Sequence, residues 1–561
     1  MLTEEKRTGY PSIDKPWMQY YSGSARNIKI PQTTIYRFIL ENNKDYINDT
    51  ALIYFGKQIS YETMYHNIDK IADILTSKGL VKGDSILICS SQTPETVYLL
   101  LACSKIGICA VMVNPTLNNQ QIEKIIMESD AKLLFCMDKL YKVVKEIVSK
   151  VDQIECIIVP VVASLPSYVQ TFMKLKNVFS KENYGNSTTW KVFLKSEISM
   201  RAEENTDINS SLVVVFSSGT TGEAKGIVHT NKSYISTSLE YRNNGYLFER
   251  GDKFLNHIPS FIASGLSFLL FAPLAFGVKV ILEPMYSETV FVDDVIKYQP
   301  NIVTPTVSFW LAAVNNEKMK SVNLDFMKMP ATGGEAVNEQ DEQLLNAFLV
   351  EHGCKSKMYF GYGMSELNGT VVTTPIKEYT PGSTGIPLPS VVVAAFDVDT
   401  QQECTYGEYG EVMVQSPCQM KEYYKNPERT RQFFWKDNEG RTWCRTGDIG
   451  YVNENGELFV RGRAVDSMLL RSGKRIYFFE IEDVVLEDSN VSQCKVICDE
   501  SGQLQVHIIL QDSGKTDNGF ESIQRKIIDK LGEDVIIRHK VWDAFPLTPN
   551  GKVDKKAMSG S

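Results

Sequence analysis

Apolar residues between positions 59 and 137 alternate between helical spacing and short continuous runs that are typical of buried strands. We predict one helix ending near residue 78 and others at 93–106 and 121–128, with strands at 84–90, 110–113 and 132–136. Such alternation is typical of layered α/β domains. A second α/β region follows at about 250–375, with strands near 278–282 and 301–304.

The pattern changes after about residue 385. Short strands separated by turns continue to residue 462 without a helical pattern, which predicts a small β-barrel or distorted sheet. Beyond Arg463, helices at 480–487 and 519–531 alternate with strands at 493–498 and 503–510. We therefore predict an α/β fold in two domains. The first, residues 1–463, has two layered α/β subdomains plus a small β-barrel, and the second, residues 464–561, is a small α+β domain.

Composition narrows the classes of function. The chain has 561 residues, of which 43% are hydrophobic and 23% charged, as in ordinary globular proteins. A net charge of −9 argues against a nucleic-acid partner, which would favour a basic face. The eleven cysteines form no CxxC pairs, which favours thiols in a reducing compartment over disulfides or a metal site.

Neither the N-terminus nor the most apolar stretch predicts a membrane protein. The N-terminus is charged and lacks the apolar core of a signal peptide. Residues 265–282 contain Pro273, Gly277 and Lys279, so we expect a buried helix and strand there instead of a membrane span. We expect a cytoplasmic protein that is a monomer or a homodimer.

The most informative segment is residues 212–230. An apolar β-branched run at 212–216 predicts a buried strand, and small or hydroxylated residues follow it directly. The candidate ligand-binding residues of this loop are Ser217, Ser218, Gly219, Thr220, Thr221, Gly222 and Lys225. Glycines let a backbone wrap a phosphate, hydroxyls donate hydrogen bonds to it, and a lysine adds a mobile positive charge. A flexible surface turn is the alternative, but this density of such residues after a strand predicts a polyphosphate-binding loop.

This loop is not a Walker A motif, which runs directly into a helix. Here Lys225 is followed by Gly226 and the strand-like Ile227. Helix-start signals come only at Thr230. The order strand, phosphate loop, strand resembles the signature loop of the adenylate-forming superfamily: acyl-CoA synthetases, peptide-synthetase adenylation domains and luciferases. Ala224 departs from that family, which usually has proline there.

A second segment extends the resemblance. The family's Tyr-Gly-x-Thr-Glu motif is matched, with serine in place of threonine, by Gly361, Tyr362, Gly363, Met364, Ser365 and Glu366. In the family this motif holds adenine, the α-phosphate and Mg²⁺. An aromatic face stacks on a purine, a hydroxyl donates to a phosphate oxygen, and a carboxylate is a hard ligand for Mg²⁺. The resemblance therefore implies catalytic roles for Ser365 and Glu366, and a Mg²⁺ site at Glu366 and Thr220.

Three more segments resemble nucleotide-binding motifs of the family. The segment whose backbone lies along the adenine is matched by Gly333, Gly334, Glu335 and Ala336. Asp448 matches the aspartate that accepts both ribose hydroxyls, a role that suits an acceptor-only carboxylate. Arg463 matches an arginine that contacts ribose or phosphate.

The segment beyond Arg463 resembles the small mobile domain of the family. Lys552 matches a lysine that reaches the active site, where a positive charge beside two approaching anions would lower their repulsion. Val465 stands where the family hinge usually has aspartate or lysine. Arg475 lies in a loop that resembles the one lining a tunnel for pantetheine. The resemblance therefore implies a C-terminal domain that rotates between an adenylating and a thioester-forming pose.

Residues 257–265 bear on the identity of the acid. Amino-acid-activating relatives carry an aspartate there to pair with the substrate ammonium, whereas this chain has Ile262, which cannot pair with a buried cation. Many acyl- and aryl-CoA ligases carry histidine near this position, and that histidine is missing too. The candidate acid-binding residues are His257, Phe261, Ile262, Gly265 and Gly333. An apolar wall here suits a fatty or aryl acid without an α-amine, although core packing explains each residue as well.

Three interpretations remain open. The first is an acyl-CoA ligase, which uses ATP and Mg²⁺ to convert an apolar carboxylic acid to acyl-AMP and pyrophosphate and then forms a thioester with CoA. The second is a stand-alone adenylating enzyme that loads the phosphopantetheine of an acyl carrier protein. The third is a nucleotide-binding protein without turnover, which Lys552, Asp448 and Glu366 oppose. The short run from Glu366 to Gly382 leaves no room for the insertion of fatty-acyl-AMP ligases, which favours the first.

Overall fold

Helices and strands alternate through most of the described chain. The computed structural model describes residues 7–151, 154–165, 184–218, 224–245, 248–334, 337–374, 378–470, 473, 475–498, 503–511, 520–532, 535, 537–546 and 553–559. The helices of the first part are α1 (Pro11–Asp14), α2 (Ile35–Asn43), α3 (Tyr61–Ser77), α4 (Pro94–Ile106), α5 (Asn119–Glu128), α6 (Tyr141–Val148) and α7 (Trp190–Phe193). Its strands are β1 (Thr50–Tyr54), β2 (Lys57–Ser60), β3 (Ser85–Cys89), β4 (Cys109–Met112), β5 (Leu133–Met137), β6 (Glu155–Val159) and β7 (Thr188–Thr189).

The middle of the chain contains the second α/β region. Its helices are α8 (Asn231–Asn243), α9 (Ala263–Leu266), α10 (Ala272–Ala275), α11 (Glu288–Tyr298), α12 (Val307–Val314) and α13 (Glu339–Glu351). Its strands are β8 (Ser211–Ser218), β9 (Ala224–Thr230), β10 (Lys253–Asn256), β11 (Lys279–Leu282), β12 (Ile302–Val303), β13 (Met329–Gly333), β14 (Tyr359–Met364), β15 (Gly369–Thr373) and β16 (Ile386–Pro387). A π-helical turn at Ser267–Phe271 joins α9 to α10, and a 3₁₀ turn at Ser365–Leu367 follows β14.

The last part of the chain is mostly β-structure. Its strands are β17 (Val392–Phe396), β18 (Gly410–Gln415), β19 (Glu422–Tyr423), β20 (Phe434–Lys436), β21 (Thr442–Val452), β22 (Leu458–Arg463), β23 (Ser467–Leu469), β24 (Arg475–Tyr477), β25 (Val491–Cys498), β26 (Leu504–Leu510) and β27 (Ile537–Val541). Its helices are α14 (Pro427–Phe433), α15 (Phe478–Leu486), α16 (Phe520–Leu531) and α17 (Lys555–Ser559).

Two large sheets carry the predicted binding motifs. The eight-stranded sheet has the order β19-β9-β8-β4-β3-β5-β6-β7, and the nine-stranded sheet has the order β16-β15-β14-β13-β12-β10-β11-β1-β2. Neighbouring strands from β11 through β10, β12 and β13 to β14 pair in parallel. Their carboxyl ends therefore share one edge, which is where open α/β sheets bind ligands.

Helices cover both faces of these two sheets. A central core joins Leu52 and Phe254 of the nine-stranded sheet to Ile86 and Val213 of the eight-stranded sheet, with residues of α3, α4 and α8 between them. The outer face of the nine-stranded sheet, which includes Leu255, packs against α11, α12 and α13. The outer face of the eight-stranded sheet packs against α5 and α6. Adjacent residues such as Phe254 and Leu255 enter opposite cores because side chains alternate along a strand.

Three smaller sheets complete the described fold. A five-stranded antiparallel sheet has the order β17-β18-β21-β20, with β22 also paired to β21. Strands β23 and β24 pair with each other, and β25, β26 and β27 form a sheet covered by α15 and α16. The predicted fold class, layered α/β with a small β-rich part and an α+β segment after it, is confirmed. The domain boundary between residues 463 and 464 stays a prediction.

The elements predicted from the first α/β region are confirmed to within about two residues at each end. The apolar stretch at 265–282 is a buried helical segment followed by β11, with Pro273 in the first turn of α10. In the described part of the chain, no helix is long and apolar enough to cross a membrane.

The prediction that helices are absent between 385 and 462 is wrong, because α14 lies there. The side chain of Asn426 accepts a hydrogen bond from the Arg429 amide at 3.0 Å, and Pro427 occupies the first turn. Only Phe433 of this helix is buried, so it leaves no apolar periodicity in the sequence. Capping residues therefore define this helix, not an apolar stripe.

The side chain of Trp310 links α12 to β13, the strand that ends at Gly333. Its indole is buried, and its Nε1 donates to the carbonyl oxygen of Ala331 at 3.0 Å. Trp310→Ala would leave a cavity and an unpaired carbonyl group, at a cost of about 3–5 kcal/mol. We expect a clear fall in the apparent melting temperature, followed by circular dichroism. Ser308→Ala, at an exposed position of the same helix, is the control and should melt like the wild type; an unchanged Trp310→Ala would contradict this packing.

Candidate active site

The predicted phosphate loop joins two antiparallel strands. In the β8–β9 pair Ser217 lies opposite Lys225 and Ser218 opposite Ala224, as the order strand, loop, strand predicts. A Cβ atom at Gly226 would lie 2.7 Å from Tyr424 Cβ and 2.9 Å from the Phe216 ring, so close packing requires this glycine. Gly219, Thr220, Thr221, Gly222 and the side chain of Ser218 lie outside the described residues.

Lys225 is influenced by charged side chains of both signs. Its pKa is lowered first by burial and then by the positive charges of Arg429 and Arg463, while Glu366 raises it. Opposite and like charges shift a pKa in this way only when they are near. The charges of Glu366 and Arg463, which the sequence assigns to two other motifs, therefore both act on Lys225 in the fold.

Glu366 is held at the end of β14. Its side chain is 6% exposed, and Oε1 accepts a hydrogen bond from the Tyr423 hydroxyl at 2.7 Å. Its carbonyl oxygen accepts from the Met420 amide, also at 2.7 Å. Tyr423 belongs to β19, which pairs with β9 at Ile227. The carboxylate is thus fixed beside the phosphate-loop hairpin.

The turn at Ser365 rests on a buried histidine. His229 of β9 contacts the carbonyl oxygen of Ser365 through Nε2 at 2.8 Å. Burial lowers the pKa of His229 to about 4, so the ring is neutral at physiological pH. A neutral imidazole that donates through Nε2 orients the backbone of Ser365 toward the hairpin.

Close packing also explains two glycines of β14. A Cβ atom at Gly361 would lie 2.6 Å from Thr370 Cγ2, and one at Gly363 would lie 2.0 Å from the carbonyl oxygen of Gly369. Gly333 lies opposite Gly361 in the β13–β14 pair. Gly334 has a φ of +84°, a left-handed conformation that favours glycine. The structure therefore brings the predicted adenine segment next to the predicted α-phosphate motif, although Glu335 and Ala336 lie outside the described residues.

Asp448 is the second buried carboxylate of the site. Its Oδ2 accepts from the Tyr362 hydroxyl at 2.6 Å, and its Oδ1 lies 2.9 Å from Arg463 Nε. Burial raises the pKa of Asp448, whereas Arg463 and the Tyr362 hydrogen bond lower it. Asp448 and Arg463 lie opposite each other across β21 and β22. Tyr362, Asp448 and Arg463, predicted from three motifs, thus form one connected group.

Arg475, which the sequence assigns to the pantetheine loop, forms an ion pair with Asp399. Its Nη2 lies 2.9 Å from Oδ1 of Asp399, and its Nη1 donates to the Ser467 hydroxyl at 3.1 Å. Asp399 follows β17, so this ion pair links the segment beyond residue 464 to the five-stranded sheet. The predicted hinge residue Val465 is 86% exposed. The predicted catalytic Lys552 lies outside the described residues.

The predicted acid-binding segment is fixed by buried amides. Gln92 Nε2 donates to the carbonyl oxygens of Ile258, at 2.7 Å, and Gly265, at 3.0 Å. Asn256 Nδ2 donates to the same oxygen of Gly265 at 3.0 Å. Phe261 is buried, and Ile262 is 40% exposed at the start of α9. Ile262 therefore presents an apolar side chain to the solvent side of a rigid segment.

His257 lies apart from this surface. It is buried among aromatic rings, with centroids 5.2 Å from Phe309, 5.4 Å from Phe291 and 6.1 Å from Tyr286. Burial lowers its pKa to about 3. The environment of His257 is that of a packed neutral ring.

A family profile matches most of the chain. The profile of the AMP-binding enzyme family covers residues 40–424, which is more than half of the sequence. The chain belongs to the AMP-binding enzyme family. The predicted membership of the adenylate-forming superfamily, close to the acyl-CoA ligases, is confirmed.

The relatives and the solved structures that this chain resembles are distant in sequence but span its length. A long-chain-fatty-acid–CoA ligase of Bacillus subtilis (strain 168) is 24% identical over 567 residues, with 97% of each chain covered. A luciferin 4-monooxygenase of Photuris pensylvanica is 25% identical over 518 residues, 90% of this chain and 89% of the other. The structure of the anthranilate CoA ligase AuaEII in complex with anthranoyl-AMP has a TM-score of 0.75 at 18% identity, covering 95% of this chain and 98% of that chain. At this identity the likeness to a solved structure shows the fold alone.

Four residues that contact the motif residues or act on their charge were not predicted from the sequence: Gln92, His229, Tyr423 and Arg429. Gln92 and Tyr423 act through contacts with Ile258 and Glu366, 166 and 57 positions away. No local pattern marks such pairs. Only His229, inside the segment 212–230, lay in a region that the sequence singled out.

Because His257 is buried as a neutral ring, we expect the folded protein to lose stability in acid. The pKa of His257 in the folded state is about 3, below the ordinary value of 6.5. Below about pH 6.5 the histidine is therefore protonated in the unfolded chain, whereas it stays neutral in the folded protein down to about pH 3. Stability is therefore lost as the pH falls from 6.5 toward 3, by up to about 1.4 kcal/mol per pH unit. His257→Phe, which suits the aromatic surroundings, should show a smaller fall in apparent melting temperature between about pH 7 and pH 5.

The control for this experiment is His66→Phe at an exposed position of α3, which should retain the wild-type dependence. If His257→Phe and the wild type lost the same number of degrees on acidification, His257 would not be the buried neutral group described above.

Proposed function

We propose that this enzyme uses ATP to adenylate an apolar carboxylic acid, fatty or aryl, and then transfers the acyl group to CoA. The observation that carries the proposal is the convergence of two buried carboxylates, Glu366 and Asp448, with the cations Lys225 and Arg463 beside the phosphate-loop hairpin. Such a set of charges suits a nucleotide and its metal ion.

The nucleoside part of ATP would bind along β13 and β14. The backbone of Gly333 and Gly334 would lie along the adenine, with Tyr362 as the aromatic neighbour. Asp448 would accept both ribose hydroxyls. A carboxylate offers about four lone-pair sites, so Asp448 keeps acceptor capacity beyond its contacts with Tyr362 and Arg463.

The phosphates would lie at the hairpin. Ser217 and Lys225, at the two ends of the loop, supply a hydroxyl donor and a positive charge, and Thr220, Thr221 and the loop amides would add more donors. Glu366 fits a Mg²⁺ ligand because its carboxylate is held in place by one tyrosine hydroxyl, and Mg²⁺ is usually bound by one or two carboxylates together with substrate phosphates. A Mg²⁺ ion held by Glu366 would supply positive charge that offsets the charge of the phosphates.

Adenylation itself needs two anions to meet. An oxygen of the acid's carboxylate attacks the α-phosphorus, the bond to the β-phosphate breaks, and pyrophosphate leaves with the electron pair. Lys552, delivered by the segment beyond residue 464, would contact both partners and offset their repulsion. The exposed hinge residue Val465 would allow that segment to move.

The apolar acid is inferred from the segment at 257–265. Ile262 offers no partner for a substrate ammonium, and its apolar side chain lies on a segment held rigid by Gln92. Relatives named for long-chain fatty acids and for 4-coumarate support a fatty or aryl acid. In the second step the thiol of CoA would attack the acyl carbonyl and AMP would leave. Arg475, after release from Asp399, would contact a phosphate of CoA.

Acid-dependent release of pyrophosphate tests this proposal. Fatty, aryl and amino acids are supplied one at a time with ATP, with and without CoA. We expect release with one fatty or aryl acid and sustained turnover only with CoA. Lys552→Ala should lower the adenylation rate by about 10²–10³, since it removes charge stabilisation at the reacting centre. Lys526→Ala, a charge change on α16, is the matched control and should leave the rate unchanged.

Other outcomes would redirect the proposal. Adenylate formation without any effect of CoA would indicate an acyl carrier protein as the acceptor. No release with any acid, together with measurable ATP binding, would contradict adenylation and indicate a nucleotide-binding protein without turnover.

Asp448→Asn tests the ribose contact. An amide cannot accept from two vicinal hydroxyls as a carboxylate does, so we expect ATP to bind about tenfold more weakly. We also expect the variant to lose the discrimination between ATP and its 2′,3′-dideoxy analogue, measured by calorimetric titration. Asp437→Asn is the matched control, because that carboxylate is held by Arg441 and Trp443 away from the site. Retained discrimination in Asp448→Asn would contradict the assignment.

A further inference from the structure

The turn that carries Ser365 and Glu366 is closed by a buried asparagine. Asn368 is fully buried, and its backbone amide donates to the carbonyl oxygen of Ser365 at 3.0 Å. Its φ of +63° and ψ of 27° lie in the left-handed region, which residues other than glycine rarely adopt and which asparagine tolerates better than most. The conformation of this one residue therefore sets the direction in which the chain leaves Glu366.

A serine hydroxyl holds Asn368 from the side of α9. Ser267 is buried, and its Oγ donates to the carbonyl oxygen of Asn368 at 2.6 Å. Ser267 is the first residue of the π-helical turn Ser267–Phe271, which continues α9 and the segment at 257–265. Such turns are rare and are frequent at functional sites. The hydrogen bond thus joins the proposed acid-binding segment to the turn beside the phosphate-loop hairpin.

The residue after Asn368 packs closely against α9 and against β14. Gly369 has a φ of +111°, and a Cβ atom there would lie 3.3 Å from Ser267 Oγ and 3.7 Å from Ser264 Cα. On its other side, the carbonyl oxygen of Gly369 would lie 2.0 Å from a Cβ atom at Gly363. Closely packed interiors transmit the displacement of one element to its neighbours. A shift of α9 would therefore reach the turn at Ser365.

Helix α8 holds the side chain of Asn368. Its Nδ2 donates to Thr237 Oγ1 at 3.0 Å, and that hydroxyl donates to the carbonyl oxygen of Ser233 at 2.9 Å. Helix α8 begins directly after β9, the second strand of the phosphate-loop hairpin. Asn368 therefore contacts the turn at Ser365, the π-helical turn and the helix that follows the hairpin.

We propose that Asn368 and Ser267 are positioning residues that couple binding of the acid to binding of the nucleotide. The inference rests on the proposed function, with the acid at residues 257–265 and the α-phosphate beside Ser365 and Glu366. A left-handed asparagine is costly, so it persists only while its contacts hold it. An acid that orders α9 fixes Ser267, which holds Asn368 and thereby Ser365. Because coupling is reciprocal, the nucleotide increases the affinity for the acid by the same factor.

Calorimetric titration with AMP measures this coupling without turnover. AMP is titrated in the absence and in the presence of a saturating carboxylate, with octanoate as the fatty probe and benzoate as the aryl probe. For the wild type we expect one of these acids to increase the affinity for AMP about fivefold or more. Ser267→Ala removes only the hydroxyl and should lower that factor about fivefold, whereas the affinity for AMP alone should stay unchanged.

A second variant and a control separate coupling from general damage to the fold. Asn368→Gly should also lower the factor, because glycine adopts the left-handed region without strain but cannot donate to Thr237. Ser238→Ala is the matched control: it removes a buried hydroxyl whose hydrogen bond, to the carbonyl oxygen of Tyr234, stays within α8. This control should keep the wild-type factor. Thermal melting followed by circular dichroism checks that each variant is folded.

The outcomes distinguish the coupling from the proposed function. An unchanged factor in both Ser267→Ala and Asn368→Gly would overturn the coupling, as would an equal loss in Ser238→Ala. An acid that releases pyrophosphate from ATP but leaves the AMP affinity of the wild type unchanged would contradict the coupling alone. An acid that increases the affinity for AMP but releases no pyrophosphate from ATP would support the coupling and contradict the proposed function.

Discussion

The proposed site depends on two carboxylates that lie buried in the fold. Glu366 and Asp448 are both buried, and each is held by a tyrosine hydroxyl, from Tyr423 at 2.7 Å and from Tyr362 at 2.6 Å. A buried carboxylate needs hydrogen bonds and a nearby cation, because desolvation alone would favour its neutral form. Arg463 supplies the cation for Asp448, and the charge of Glu366 raises the pKa of Lys225.

This requirement explains why the site lies where three sheets meet. Glu366 lies in the 3₁₀ turn that follows β14 of the nine-stranded sheet. Lys225 and Tyr423 lie on adjacent strands of the eight-stranded sheet, and Asp448 belongs to the five-stranded sheet. The central core includes residues of all three sheets, so the charged groups are fixed by packing in one continuous interior. Charges held this way need little rearrangement when a nucleotide arrives, which is the condition for electrostatic catalysis.

Much of this arrangement could be predicted from local sequence. The period of apolar residues located the strands and helices of the first α/β region, and the hydroxyl- and glycine-rich run after residue 216 located the hairpin. Those signals are local because backbone geometry and phosphate binding both act over a few neighbouring residues. Helix α14 was missed because it is defined by Asn426 and Pro427 instead of by an apolar stripe.

The groups that support the motifs could not be predicted in the same way. Gln92 fixes Ile258 and Gly265 across 166 and 173 positions, and Arg429 acts on Lys225 only because β19 pairs with β9. Their residue types are common on protein surfaces, and only the fold brings them to the site. Local sequence therefore predicts the motif residues of the proposed site, whereas the residues that hold them become evident only in the fold.

The central claim is that the acid's own oxygen attacks the α-phosphorus of ATP. The most direct test is a reaction with an acid whose carboxyl oxygens carry a heavy oxygen isotope, followed by mass spectrometry of the products. The account predicts that one heavy oxygen appears in AMP and none in pyrophosphate. Unlabelled AMP, or label in inorganic phosphate, would contradict attack at the α-phosphorus and the function built on it.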